Sequence, residues 1–293
     1  MKKTTIRGYK DLELFTRIYD DVKNPKAAIQ IIHGMHEHSL RYERFAQMLN
    51  KNGYIVIATD ARGHGHTAKS LELLGHGEKD IFSEAVSDQS YVSYWIKSQY
   101  KLPLYIFAHS WGSMIGQRLI QQNFIADKII LCGTNIGSNI SFKLGKLVTN
   151  LQSLFIKDTK PANLIIRANN KLYQKRFVRG NWLTRNEEIF DEYIQDPLCN
   201  TKFPISFYKS LFKNMASVNK YIKNIKKDLK ILLIAGSEDP VGNYSKNVIK
   251  LTNLYKKHGL SAECKIYKGA RHELINEINY KEVDNDIIEF FNN

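Results

Sequence analysis

The sequence predicts an α/β fold, a mostly parallel central sheet flanked by helices, and three observations carry that expectation. Five short apolar runs, rich in β-branched and aromatic residues, each end near Gly, Asp or His. Segments of helical period lie between them, the alternation that builds a parallel sheet covered on both faces. The alternation breaks once, from about Ile136 to Met215, where no buried-strand run occurs.

The chain opens on TTIRGYKDLELFTRIYD, which reads as two strands around a turn at Tyr9 to Asp11, an antiparallel edge to the sheet. The buried runs follow: AAIQIIHG (27–34), YIVIATD (54–60), LPLYIFAHS (102–110), DKIILCG (127–133) and LKILLIAG (229–236). Leu40, Phe45, Met48 and Leu49 share a helical face before NKNGY, and Val92, Trp95 and Ile96 share another. Past Cys132 the segment ISFKLGKLVTNLQSLFI sets Leu144, Leu147, Val148, Leu151, Leu154 and Phe155 at helical spacing. A helical insertion is the economical reading, with its apolar stripe packed in part on the main domain. The expected division is a core of residues 1–135 and 216–293 and an inserted helical cap of residues 136–215.

Composition narrows the class. With 293 residues, 43% of them hydrophobic, the chain can bury a substantial core, which sets aside disordered and fibrous classes. MKKTTIRGYKDLELF has no apolar leader segment, and no later run is long enough to span a bilayer, so the expected location is the cytoplasm. Cys132, Cys199 and Cys264 are widely spaced and form no C-x-x-C, so neither a disulfide framework nor a zinc site is expected. The formal charge of +14 invites a nucleic-acid reading, but residues 201–260 hold twelve lysines, no arginine and three acids, a compositional habit rather than a base-reading surface. No nucleic-acid partner is expected. Contact with an anionic membrane surface stays open, since that needs only net charge.

The chemistry concentrates at Ser110. A serine hydroxyl becomes a nucleophile when a base takes its proton and donors receive the oxyanion formed on the substrate. A tight turn between a buried strand and a helix supplies both conditions, provided the residues two before and two after the serine are small. Here they are Ala108 and Gly112, so the motif reads A-x-S-x-G. An acid and a histidine must follow, each in a loop after a strand. Asp239 in LLIAGSEDPVG and His272 in AECKIYKGARHEL stand in that order. Among rival acids, Asp60 precedes the serine and is expected to organise its glycine-rich turn with Arg62; Asp88 and Asp228 are less well placed, and Glu238 is the nearest alternative to Asp239. His258, in LYKKHGL, suits a helix C-terminus instead.

Five motifs in order, HGMHEHSLRYERFA (33–46), DARGHGHT (60–67), AHSWGS (108–113), GSEDPVGN (236–243) and GARHEL (269–274), resemble the serine α/β-hydrolases of the monoacylglycerol lipase and lysophospholipase group. The resemblance spans almost the whole chain and implies the α/β-hydrolase fold. It makes Ser110 the nucleophile, His272 the general base and then acid, and Asp239 the residue that orients the imidazole. It gives the backbone N–H groups of Met35 and Trp111 to the oxyanion hole. No cofactor is implied. His33, His36, His38, His64 and His66 crowd together but sit in glycine turns, so no metal is expected, and His33, Glu37, His38 and His64 are taken to hydrogen-bond the loops around the oxyanion hole. His109 and Trp111 are taken as packing residues.

The implied activity is hydrolysis of a lipid ester, a monoacylglycerol or lysophospholipid, through an acyl-enzyme. Phe142, Leu147, Leu151, Phe155, Tyr173, Phe177, Trp182, Tyr193 and Phe207 offer the insertion enough apolar material to shelter one acyl chain or to close its own core. A short-chain carboxylesterase, a thioesterase or an aminopeptidase would keep the same triad. For a peptidase, Glu187, Glu188 and Asp191 are candidate anchors for a substrate amine. A silent binding protein would show a damaged triad, and none is seen.

Overall fold

The computed structural model describes residues 1–122, 125–177 and 180–293. Its eight strands are β1 (Lys2–Arg7), β2 (Glu13–Tyr19), β3 (Ala27–Ile32), β4 (Tyr54–Thr59), β5 (Leu104–His109), β6 (Lys128–Cys132), β7 (Lys230–Gly236) and β8 (Ser261–Tyr267). They form one sheet in the order β1-β2-β4-β3-β5-β6-β7-β8. β1 and β2 make the expected antiparallel hairpin, and β2 also runs antiparallel to β4. The other pairings are parallel.

The central runs are continuous in apolar character because both faces of the sheet are covered, and side chains alternate between two cores. Ala28, Ile32, Ile55, Ile57, Ile106, Ile129 and Leu131 enter one core, and Ile29, Ile31, Val56, Phe107, Ile130 and Cys132 the other. α2 (Ile81–Tyr100), α3 (Trp111–Leu119) and α8 (Lys246–Lys257) cover the first, through residues such as Phe82, Val86, Ile115, Val248 and Leu251. α1 (Glu43–Lys51) and α9 (Tyr280–Asn292) cover the second, with Phe45, Leu49, Ile287 and Phe291. Among the described residues, no helix is long and apolar enough to cross a membrane.

Between β6 and β7 lie α4 (Ile140–Gln152), α5 (Asn163–Gln174), α6 (Glu187–Gln195) and α7 (Ile205–Met215). α7 packs on both α2 and α4. The stripe on α4 departs from expectation. Leu144, Leu147, Leu151, Leu154 and Phe155 are 50 to 86% exposed, and only Val148 is half-buried. The helix meets α7 through its opposite side instead, where Phe142 and Thr149 are buried and Gly145 lets the Phe212 ring approach.

Candidate active site

Parallel strands deliver their C-terminal ends to one edge of the sheet, the place where open α/β folds collect ligands. His33 follows β3, Ser110 follows β5, Asp239 follows β7 and His272 follows β8. Ser110 sits at φ 53°, ψ −120°, a backbone conformation that costs a non-glycine residue of order 1–3 kcal/mol and turns the chain from strand to helix within one residue. Its N–H donates to the Cys132 carbonyl at 2.8 Å and its carbonyl accepts the Ser113 hydroxyl at 2.5 Å, which hold the turn in place.

The small residues around it have separate reasons. A Cβ on Gly112 would fall inside the carbonyl oxygens of Ile32 and His33, so α3 can approach β3 only without a side chain there. Ala108 is fully buried in β5, and its methyl fits because the facing residue on α3 is Gly116, where an added Cβ would stand 3.3 Å away. Alanine in the motif is thereby accommodated without disturbing the turn.

His272 Nε2 lies 2.8 Å from Ser110 Oγ. The opposite edge of the ring, Nδ1, is 3.0 Å from Asp239 Oδ1, at an angle too bent for a straight hydrogen bond. Oδ1 also accepts the Val241 N–H at 2.9 Å. Burial alone would push the His272 pKa down, but the Asp239 carboxylate, helped by Glu273 and Glu37, reverses the balance and raises it. The Gly34 turn abuts the serine: a Cβ on Gly34 would lie 3.1 Å from the Ser110 Cβ. Neither the Met35 nor the Trp111 amide N–H has a backbone or side-chain acceptor among the described residues.

The turn carrying Met35 hangs on Glu37. Its Oε1 accepts the Gly34 N–H at 2.6 Å, the Tyr42 hydroxyl at 2.8 Å and His109 Nδ1–H at 3.0 Å, and its Oε2 accepts Arg41 at 2.8 Å. Arg41 in turn grips Glu273, next to His272, through two bonds of 2.9 and 2.7 Å. Burial works against the Glu37 charge, yet His109 and Arg41 hold its carboxyl well below the usual range, and Arg41 lowers the Glu273 carboxyl against the same opposing burial. A single buried ion network therefore ties the Gly34 turn to the histidine loop.

The other histidines are loop fasteners. His33 Nε2 accepts the Ala61 N–H at 2.8 Å while Nδ1 donates to the Gly34 carbonyl at 2.7 Å. Burial lowers the His33 and His64 pKa values and takes His36 down to about 4, which keeps all three neutral. His38 meets Asp196 of the inserted segment at 2.8 Å, and His64 reaches the Arg62 carbonyl at 3.0 Å. His258 closes α8 by meeting the Leu254 carbonyl.

Several expectations need correction. Asp60 does organise its turn, accepting the N–H groups of Ser39 and His66, but its cationic partner is Arg17 at 3.2 Å. Arg62 instead pairs with Asp88 at 2.9 Å, while its Nη2 also donates to the Tyr9 carbonyl at 2.9 Å, so its guanidinium is committed to α2 and the first hairpin. His109 belongs to the Glu37 network, with Nε2 3.4 Å from the His272 carbonyl, whereas Trp111 packs as expected, stacked on His64 at 4.8 Å and beside Phe207 at 5.3 Å. Leu147, Leu151 and Phe155 face solvent and line nothing, whereas Trp182 stands 5.3 Å from His272 and 5.0 Å from Tyr173. Glu187, Glu188 and Asp191 are exposed on α6. Arg41, Tyr42 and Glu273 were missed by sequence reasoning. SLRY hints at the first two, but nothing in sequence links Arg41 to Glu273, 232 residues away.

Comparison with known proteins places the chain among relatives. The profile of a family described as serine aminopeptidase, S33 matches residues 23–279. Human monoglyceride lipase is 28% identical over 95% of this chain and 85% of its own length. Phospholipase YtpA of Bacillus subtilis is 26% identical, over 88% and 92%. Among solved structures, a thermostable carboxyl esterase from Bacillus coagulans, in complex with glycerol, superposes with a TM-score of 0.89 at 26% identity, covering 99% of this chain and 97% of that one.

Proposed function

The chain belongs to the serine aminopeptidase S33 family of α/β-hydrolases, and on that premise we propose that it is a serine hydrolase cleaving carboxylic esters of lipid-like substrates, a monoacylglycerol or lysophospholipid. One observation carries the reading: Ser110 Oγ lies 2.8 Å from His272 Nε2 on a strained turn, with Asp239 against the far side of the ring.

The chemistry follows from the positions. Ser110 Oγ attacks the ester carbonyl carbon as its proton passes to His272 Nε2. The imidazolium formed is stabilised by Asp239, and the charge developing on the carbonyl oxygen is received by the N–H groups of Met35 and Trp111. The tetrahedral intermediate collapses, the C–O bond breaks, and the alcohol leaves with the proton from His272. Water, deprotonated by the same histidine, then attacks the acyl-enzyme and releases the carboxylic acid. Each oxyanion donor in such a site contributes about 2.7–4 kcal/mol to the transition state.

Residues 136–215 act as a cap over a core of residues 1–135 and 216–293, with Trp182 and Tyr173 forming an apolar wall beside His272. The lipid assignment is supported by that wall and by the names of the relatives, monoglyceride lipase and phospholipase. The test is fatty-acid release from a long-chain monoacylglycerol, a lysophosphatidylcholine and a short-chain ester, by the protein and by Ser110→Ala. Serine-dependent turnover strongest on a long-chain lipid is the expected result. Turnover of the short ester alone would reduce the assignment to a carboxylesterase. If an aminoacyl amide were cleaved faster than its matched ester, the ester reading itself would fall.

A further inference from the structure

We propose that His38, Asp196 and Cys199 form a binding site for a zinc-class divalent cation, fastening the segment inserted between β6 and β7 to the core. The three side chains come from two places: His38 stands in the loop after β3, and Asp196 and Cys199 in the short turn after α6. Spacing in the sequence gives no hint of the set, because 158 residues separate His38 from Asp196. One ligand atom from each residue lies within 4.8 Å of the other two. His38 Nε2 and Asp196 Oδ2 are the nearest pair, 2.8 Å apart. In a tetrahedral zinc site, with bonds of about 2.0–2.3 Å, neighbouring ligand atoms stand about 3.4–3.6 Å from one another. A cation therefore needs the histidine–carboxylate contact to open by about 0.6 Å and the sulfur to close in by no more than about 1.2 Å. Both are rotamer-scale adjustments.

The surroundings favour a cation there. Asp196 Oδ1 accepts the Leu198 N–H at 2.8 Å and the Asp196 carbonyl accepts the Cys199 N–H at 3.0 Å, so the turn itself fixes the carboxylate and leaves Oδ2 to the histidine. His38 is buried, and its Nδ1 has no partner among the described residues. A cation entering beside Nε2 thus displaces one contact of the ring and breaks no network. The Asp196 side chain is 28% exposed, which gives the cation a way in and its fourth position a water. Charge points the same way. Among the described residues, Arg41 is the one permanently charged cation acting on the Cys199 sulfur, and it faces the carboxylates of Asp196, Glu37 and Glu273. A dication held by the thiolate supplies the missing positive charge, and the thiol proton leaves to solvent. The donor set selects the ion: nitrogen, sulfur and one carboxylate oxygen suit zinc, whereas magnesium and calcium take oxygen ligands.

The inference goes beyond the hydrolase reading and does not depend on it, since binding needs no turnover. The experiment strips the full chain with a chelator and titrates it with cobalt(II), then displaces the cobalt with zinc(II). A thiolate-to-cobalt charge-transfer band that saturates at one equivalent and is bleached by zinc is expected. With free zinc at about a hundred times its dissociation constant, the melting temperature should rise by about 5–10 °C. Cys199→Ser should abolish the band, and Cys199→Ser and Asp196→Asn should each weaken zinc at least about ten-fold. Because Asp196 is only half-buried, its variant carries the comparison if the cysteine variant fails to fold. Cys264→Ser, exposed on β8, should leave the band and the affinity within about two-fold. Absence of the band, a band that survives Cys199→Ser or disappears with Cys264→Ser, zinc affinity untouched by Asp196→Asn, or a melt unmoved by zinc would each overturn the proposal.

Discussion

Replacing Glu37 by glutamine removes one charge from the ion network while keeping the shape of the side chain, and it tests whether that network sets the Gly34 turn. The carboxylate is buried and accepts four bonds, between 2.6 and 3.0 Å. Glutamine offers one carbonyl oxygen and a donor in place of the second acceptor, so at least the Arg41 contact or the Gly34–Tyr42–His109 cluster is lost. Breaking a buried pair from one side costs about 3–5 kcal/mol. Arg41 keeps its two bonds to Glu273, which places the expected cost near 3 kcal/mol. At about 2–4 °C per kcal/mol for a chain of this size, the melting temperature should fall by roughly 6–12 °C. The Gly34 N–H would lose its anchor, and the neighbouring Met35 N–H its aim, so kcat on a soluble short-chain ester should fall about a hundred-fold with KM little changed. The assays are thermal unfolding and steady-state kinetics, with Ser110 titrated by an organophosphate to count competent sites. A full loss of stability with kcat intact within two-fold would refute the link from Glu37 to the oxyanion donors. If neither quantity moved, the network would not be what holds the turn.

Three other outcomes follow from the same geometry. The acid limb of kcat/KM should have its midpoint above the ordinary histidine value of about 6.5, because Asp239 raises the His272 pKa and only the neutral ring accepts the Ser110 proton; in Asp239→Asn the limb should move down as activity falls, and an unmoved limb would mean another group titrates. Gly112→Ala should be more harmful than a methyl group usually is, since its Cβ meets two backbone oxygens of the turn; about 1–3 kcal/mol of stability and most activity should go, and a wild-type melt would refute the close approach. Trp111→Ala should cost about 3–5 kcal/mol by emptying the space among His64, Phe82 and Phe207, and should raise the relative rate on bulkier acyl groups, which parallel assays of short and branched esters would read.

What sequence could and could not disclose has a physical pattern. The strands were legible because a sheet covered on both faces leaves no polar alternation to confuse it, and their order set the loops that carry Ser110, Asp239 and His272. Local constraint made the serine turn legible too, since small neighbours at fixed offsets are required by atoms a few residues away. The Arg41–Glu273 clamp joins residues 232 apart, and charge in a one-dimensional string does not say which opposite charge it will meet. Asp60 and Arg62 show the same blindness at short range: neighbours in a turn look like partners, yet each finds its ion on a different element, Arg17 on β2 and Asp88 on α2.

The α4 stripe exposes a deeper limit. Periodicity reports that leucines share a face; it does not report which side of the helix the fold will bury. In water the apolar side should win, because burying a leucine contributes about 1.5–3 kcal/mol. Here the contact with α7 is built instead from Phe142, Gly145 and Thr149, and the ring of Phe212 occupies the notch that glycine leaves, so the close approach is made by the absence of a side chain. A folded chain that leaves Leu144, Leu147 and Leu151 outside forgoes several such contributions on one helix.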